Sequence, residues 1–167
     1  MPAQKKFISI IIIIMLCVFL FSAALSAEPT SKSIVVGHTD GFVRLSNVKT
    51  ALSENGITKD QPFTVAFDEG VMEISHGAFS KCTGLTSVTV PGSVVDIGRG
   101  TFLHCEGLKN VIIQDGVTTI KGRWPLFLSY PTSEVSTSQM MGAFAYCKNL
   151  SSIVIPESVT TIEEASL

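Results

Sequence analysis

Val88-Thr89-Val90-Pro91-Gly92-Ser93-Val94-Val95-Asp96-Ile97-Gly98-Arg99-Gly100-Thr101-Phe102-Leu103-His104-Cys105-Glu106-Gly107-Leu108 is one unit of a repeat, and its pattern returns on either side. Upstream, Val65-Ala66-Phe67 leads to Gly84-Leu85. Downstream, the pattern restarts at Val111-Ile112-Ile113, and a partial copy begins at Ile153-Val154-Ile155-Pro156. The offset is constant, 88 − 65 = 23 and 111 − 88 = 23, and then 153 − 111 = 42 = 23 + 19. The third copy therefore carries an insertion of 19 residues, within 121–141. A fixed period in this range is the signature of a stacked solenoid, whose units cannot bury their apolar face alone. Such a stack displays a surface, and its default work is binding.

Each slot of the unit has a physical reason. In Val88-Thr89-Val90 the apolar period is two, so both valines face one way and Thr89 the other, as in a short strand. Pro91 has no N–H to donate and stops the strand. Val94 and Ile97 are three apart, as are Phe102 and Cys105, and the same holds in the other copies (Val71/Ile74, Val117/Ile120, Phe79/Cys82, Phe144/Cys147). A spacing of three predicts tight turns with one face inward. Leu85, Leu108 and Leu150 lead back into the next strand. The expected fold is a solenoid with a parallel β-sheet, one short strand per 23-residue repeat near 65–67, 88–90, 111–113 and 153–155. Short helical turns or second short strands form the other walls.

This unit resembles the BspA-like subfamily of leucine-rich repeats. The residues that carry the resemblance are Gly77-Ala78-Phe79-x-x-Cys82-x-x-Leu85, Phe102-x-x-Cys105-x-x-Leu108 after Ile97-Gly98, Gly142-Ala143-Phe144-x-x-Cys147-x-x-Leu150, and Ile155-Pro156. The resemblance covers about residues 65 to 167. It implies a surface or secreted microbial protein that binds host matrix, cell-surface proteins or other cells. It carries over no ligand-binding residue, because the shared motif is the structural core.

The N-terminus reads differently. Lys5 and Lys6 precede an apolar run from Ile10 to Phe21, and Ser22-Ala23-Ala24-Leu25-Ser26-Ala27 follows. This is the order of a secretory signal peptide, 1–27, with cleavage near Ser26-Ala27. An uncleaved anchor is the rival reading, and the only route by which a membrane enters. Residues 28–62 read as an N-terminal cap. Ile34-Val35-Val36 and Gly41-Phe42-Val43 suit short strands, and Ser46 to Asn55 a helix capped by Ser46 or Asn47, with Val48, Ala51 and Leu52 on one face. Residues 63–167 are the repeats.

Composition narrows function. Removing the leader takes two lysines from the 12 Lys and Arg and leaves all 14 acids, so the charge is 10 − 14 = −4. That balance argues against nucleic acid, which asks for a basic stripe. Cys82, Cys105 and Cys147 occupy one slot of the repeat and read as an internal ladder of buried thiols, with a disulfide between adjacent rungs as the alternative. No Cys-x-x-Cys or paired histidines suggest a metal. His38, His76 and His104 fall in unrelated slots, and Asp68-Glu69 and Glu163-Glu164 are adjacent pairs rather than an acid/base dyad. No nucleophile is matched with a base and no phosphate loop is present, so neither an enzyme nor a cofactor is expected.

Binding is then the question. The insertion holds Trp124 and Tyr130, and three readings stay open for it: packing over the solenoid flank, a binding loop, or disorder. Strand alternation sends Thr86, Ser87, Thr89, Lys109, Asn110, Ile112, Ser151, Ser152 and Val154 outward. Most are polar. Ile112 and Val154 share a slot in adjacent units and should lie side by side, with Lys109 and Asn110 at their rim. Leu167 falls in the slot of Phe102, so the last unit breaks off in mid-repeat, and its edge invites self-association. A structural repeat fragment with no binding role of its own is the alternative to an adhesive protein.

Overall fold

A computed structural model describes residues 31–38, 40–122 and 141–167. The leader at 1–27, and the part of the insertion that holds Trp124 and Tyr130, lie outside the described residues. The elements run β1 (Lys32–Val36), β2 (Phe42–Val43), α1 (Leu45–Glu54), β3 (Phe63–Phe67), β4 (Glu73–Ile74), β5 (Leu85–Val90), β6 (Asp96–Ile97), β7 (Asn110–Ile113), β8 (Thr119–Ile120), β9 (Ser152–Val154) and β10 (Thr161–Ile162). Odd strands form one parallel sheet, β1-β3-β5-β7-β9, and even strands a second, β10-β8-β6-β4-β2. The protein is a repeat solenoid, each coil giving one strand to each sheet.

The register of the sheets is the alignment of the repeat. Val88 pairs with Val111, Val111 with Ile153, Ile97 with Ile120, and Ile120 with Ile162. A slip of one residue would turn every inward valine or isoleucine outward, so burial fixes the pairing. Pro91 ends its strand and offers its carbonyl to the Val94 N–H at 3.0 Å; Pro156 does the same for Val159 at 3.2 Å. Those turns swing the chain from the first sheet to the second.

The third wall differs from the helical turns that its spacing suggests. Within one coil the N–H groups of Ala78, Ser80 and Cys82 close tight turns onto the carbonyls of Ser75, Gly77 and Phe79. The intervening N–H groups of Gly77, Phe79 and Lys81 instead reach the carbonyls of Arg99, Thr101 and Leu103 in the next coil, at 3.0, 2.9 and 2.7 Å. An α-helix would consume each N–H within its own coil; alternation shares them and ties the coils together. The geometry needs left-handed backbone at Gly77 (φ 65°) and Lys81 (φ 62°). The slot of Lys81 is left-handed again at His104 (φ 58°) and Tyr146 (φ 61°).

The core is a set of ladders. Phe79, Phe102 and Phe144 stack with centroids 5.4 and 5.1 Å apart, and Phe67 meets Phe79 edge-on. Phe102 and Leu108 are fully buried. The cysteine ladder has its own bond: Cys105 Sγ donates to the Phe79 carbonyl and Cys147 Sγ to the Phe102 carbonyl, each at 3.1 Å. All three thiols are free. A small apolar side chain with one weak donor suits this slot.

Residues 32–54 extend the stack rather than standing apart from it. Ile34 pairs with Val65 and Val43 with Ile74. Here α1 replaces the tight third wall, with Val48, Ala51 and Leu52 buried. It begins at Leu45, before the expected Ser46, because Asn47 Oδ1 reaches back to the Arg44 N–H at 2.9 Å. It stops at Asn55, where Gly56 takes φ 61°.

Candidate functional site

The outer face of the first sheet is built by alternation. In β7, Val111 and Ile113 are buried while Asn110 and Ile112 stand out. Ile112 is flanked by Thr89 on one side and Val154 on the other. Ile112 is 45 % exposed and Val154 53 %, so the pair forms the apolar patch that the spacing suggests. Across the sheet, Val35 lies opposite Ala66 and is 55 % exposed. One outward row therefore carries Val35, Ala66, Thr89, Ile112 and Val154.

Polar groups border this row. Asn110 lies between Ser87 and Ser152 in the ladder, and Lys109 precedes it, exposed. The Lys109 carbonyl takes three donors, the Ser151 and Ser152 N–H groups and the Ser151 hydroxyl, at 3.0 to 3.1 Å. Its backbone is thus fixed while its ammonium is left to solvent. Thr86 Oγ1 turns back to the Phe63 carbonyl at 3.0 Å. Thr86, Ser87 and Thr89 are half-buried, less open than simple alternation suggests. The structure brings Lys109, Asn110, Ile112 and Val154 together on one face; Trp124 and Tyr130 lie outside the described residues.

The chemistry of the described residues is quiet. Burial pushes the Cys82 and Cys147 thiols up to about 11 and Cys105 well above its ordinary value, so the ladder stays protonated near neutrality. The histidines hold structure. His38 Nδ1 accepts the Gly41 N–H at 2.7 Å, and its Nε2–H donates to the Glu69 carbonyl at 2.9 Å. His76 Nδ1 accepts the Arg99 N–H at 2.9 Å. Burial first, then Lys121 and Arg99, holds the His76 ring below its usual pKa. His104 stacks on Tyr146 with centroids 4.6 Å apart. Among the described residues no group of three His, Cys, Asp or Glu could hold a metal.

Two features escape the sequence. The slot of Lys81, His104 and Tyr146 holds three unlike side chains, so nothing in residue type marks it as one left-handed row. A cleft between α1 and the turn at 76–82 gathers residues far apart in the chain. Its one sequence signal is Lys49, beside the apolar face of α1.

Comparison with known families agrees with this geometry. Residues 60–124 match the BspA type leucine rich repeat region (6 copies). No curated protein and no solved structure matches the chain. Leucine-rich repeats are in general protein-binding and non-enzymatic, and those of BspA type are typically surface or secreted bacterial proteins.

Proposed function

We propose that this chain, with its BspA-type leucine-rich repeats, is a non-catalytic adhesive protein, exported by its N-terminal leader, that binds a matrix or cell-surface protein through the outer face of the first sheet. The observation that carries the reading is the row itself. Ile112 and Val154 are neighbours by register, uncovered, and rimmed by Lys109 and Asn110. An interface needs an apolar centre with a polar border, and about 800 Å² on each partner. The row spans all five strands of the sheet, which supplies the length. Trp124 and Tyr130 are further candidates for the contact, and α1 serves as the N-terminal cap.

The test is direct binding. Residues 28–167, purified, are measured against immobilised extracellular-matrix proteins, alongside the double variant Ile112→Thr/Val154→Thr. Threonine keeps the β-branch and so the strand, while removing apolar area. The expected loss is about tenfold, about 1.4 kcal/mol. Unchanged affinity with an intact fold removes this face and moves the site to the Trp124 segment.

Self-association is a second reading, favoured by the last coil. Ile162 is 48 % exposed, and Ile153, Ile155 and Val159 are only half-buried. A second copy laid against that edge would cover them. Light scattering across a concentration series tests it: a monomer at every concentration ends the reading.

A further inference from the structure

The cleft beside α1 has a chemistry of its own. Its floor is apolar: Val48 and Leu52 lie buried in it, and Leu45, 42 % exposed, stands at its mouth. Its rim is cationic. Lys49 comes from α1, Lys59 from the loop after it, and Lys81 from the left-handed slot of the facing turn. No aspartate or glutamate lines it. The cavity is about 480 Å³, within the range of small-molecule sites.

The lysines stand out against the other cations. Arg44, Arg99, Lys121 and Lys148 pair with Asp40, Glu163, Asp96 and Glu106, and Lys32 Nζ donates to the Asn55 carbonyl. Lys49, Lys59, Lys81 and Lys109 have no such side-chain partner among the described residues, and three of these four ring this cleft. A single exposed lysine is simply hydrated. Three that converge on one concavity with low-dielectric walls focus their field and raise the local concentration of anions. The cleft also lacks an internal counter-ion. Cys82 lies at its base, and burial keeps that thiol protonated near neutrality even with Lys59 nearby. His76 also lines the cleft; it accepts at Nδ1, so its neutral ring carries the proton on Nε2.

The geometry points to a binding site for a small amphipathic anion, a medium-chain or aromatic carboxylate, whose apolar body lies on Leu45 and the edge of Leu52 and whose carboxylate meets Lys49, Lys59 and Lys81. An inorganic anion would leave the apolar floor uncovered, and a neutral alkyl chain would leave the ammonium groups unanswered. The carboxylate keeps its charge at the rim, where water still screens it, so desolvation costs little. This site is separate from the sheet face, and neither depends on the other.

The experiment uses octanoate as probe, with octanol and inorganic phosphate as its two halves, followed by amide shifts of the chain from residue 28. The expected result is saturable octanoate binding with shifts centred on Lys49, Leu52, Ser80 and Lys81, and at least about tenfold weaker binding of octanol and of phosphate. Changing Lys49, Lys59 and Lys81 together to Gln weakens octanoate about tenfold, while Lys109→Gln leaves it unchanged. Raising salt weakens octanoate on the unaltered chain, a readout that needs no variant. The proposal is overturned by shifts absent from the cleft or centred on the last coil, by octanol or phosphate binding as well as octanoate, or by salt-independent affinity.

Discussion

The third and the last repeat coils carry like apolar residues in the same slots and end in different surroundings. Val111, Ile113, Val117 and Ile120 are 0 to 2 % exposed. Their counterparts Ile153, Ile155 and Val159 are half-buried, and Ile162 is 48 % exposed. The repeat therefore encodes which way a side chain points, not how deeply it is buried. Depth comes from the next coil. One coil's inward face is half of a sandwich, and its neighbour is the other half. The backbone follows the same rule. N–H groups of one turn find carbonyls in the next coil, as Phe102 does at Ala143 and Phe144 at Ser166, both within 3 Å.

The largest test of this contrast is a matched pair of truncations. Ile120→Ala should cost about 2–5 kcal/mol, because the side chain leaves a cavity that packed neighbours cannot collapse. Ile162→Ala should cost under about 1 kcal/mol, because half of that side chain already meets water. Urea denaturation of both variants reads the difference. Equal losses would break the comparison, since they would mean that the last coil is as well covered as the third.

A smaller effect is expected at the staple that holds the last coil. Glu163 Oε2 accepts from the Arg99 guanidinium at 2.6 Å and from the Gly122 N–H at 3.0 Å, so it reaches across an intervening coil. Gly122 leaves room for this, as a Cβ there would run into the Glu164 carbonyl. Glu163→Gln should cost about 1 kcal/mol, the scale of one partly screened charged hydrogen bond. Thermal melting checks it, and loss of the same size at Lys148→Gln would contradict it. The Lys148–Glu106 pair is more exposed and should contribute less.

The thiols give the smallest effect on stability near neutrality and the cleanest contrast in rate. Cys105 is sealed between two coils, whereas Cys147 is only partly covered. A thiol reagent at mildly alkaline pH should label Cys147 first and Cys105 only on unfolding. The sign of the pH dependence follows from the raised pKa values. Stability from the buried neutral thiols is complete below the unfolded value of 9.0 and falls as pH rises toward about 11, where Cys82 and Cys147 ionise in the fold. A Cys82→Ala/Cys147→Ala chain should lose less of its melting temperature over that window. An identical profile would remove the thiols from the account.

Much of this was legible in the chain because the repeat states the same thing several times. Val88 over Val111 over Ile153, and Phe79 over Phe102 over Phe144, follow from counting, and the register obeys the count. The exposed pair Ile112 and Val154 followed from alternation. The coil ahead of the repeats, residues 32–54, was harder. Ile34 pairs with Val65, an offset of 65 − 34 = 31, because the ten residues of α1 stand where later coils make tight turns. The second sheet was half-hidden, since two-residue strands such as Asp96–Ile97 are too short to show a period of two. The alternating hydrogen bonds of the third wall leave no mark on residue type. The cleft depended on α1 meeting residues 76–82, a tertiary contact that spacing along the chain does not report.

Native-state hydrogen exchange tests most directly whether burial passes from coil to coil. In dilute monomer, the amides of β5 and β7 should exchange only through global unfolding, and those of β9 and β10 through local opening at least about a hundredfold faster. Protection that falls stepwise toward the last coil is the expected result. Equal protection of Val111 and Ile153 would contradict it, because two residues in one slot would then be equally sealed although only Val111 is fully buried.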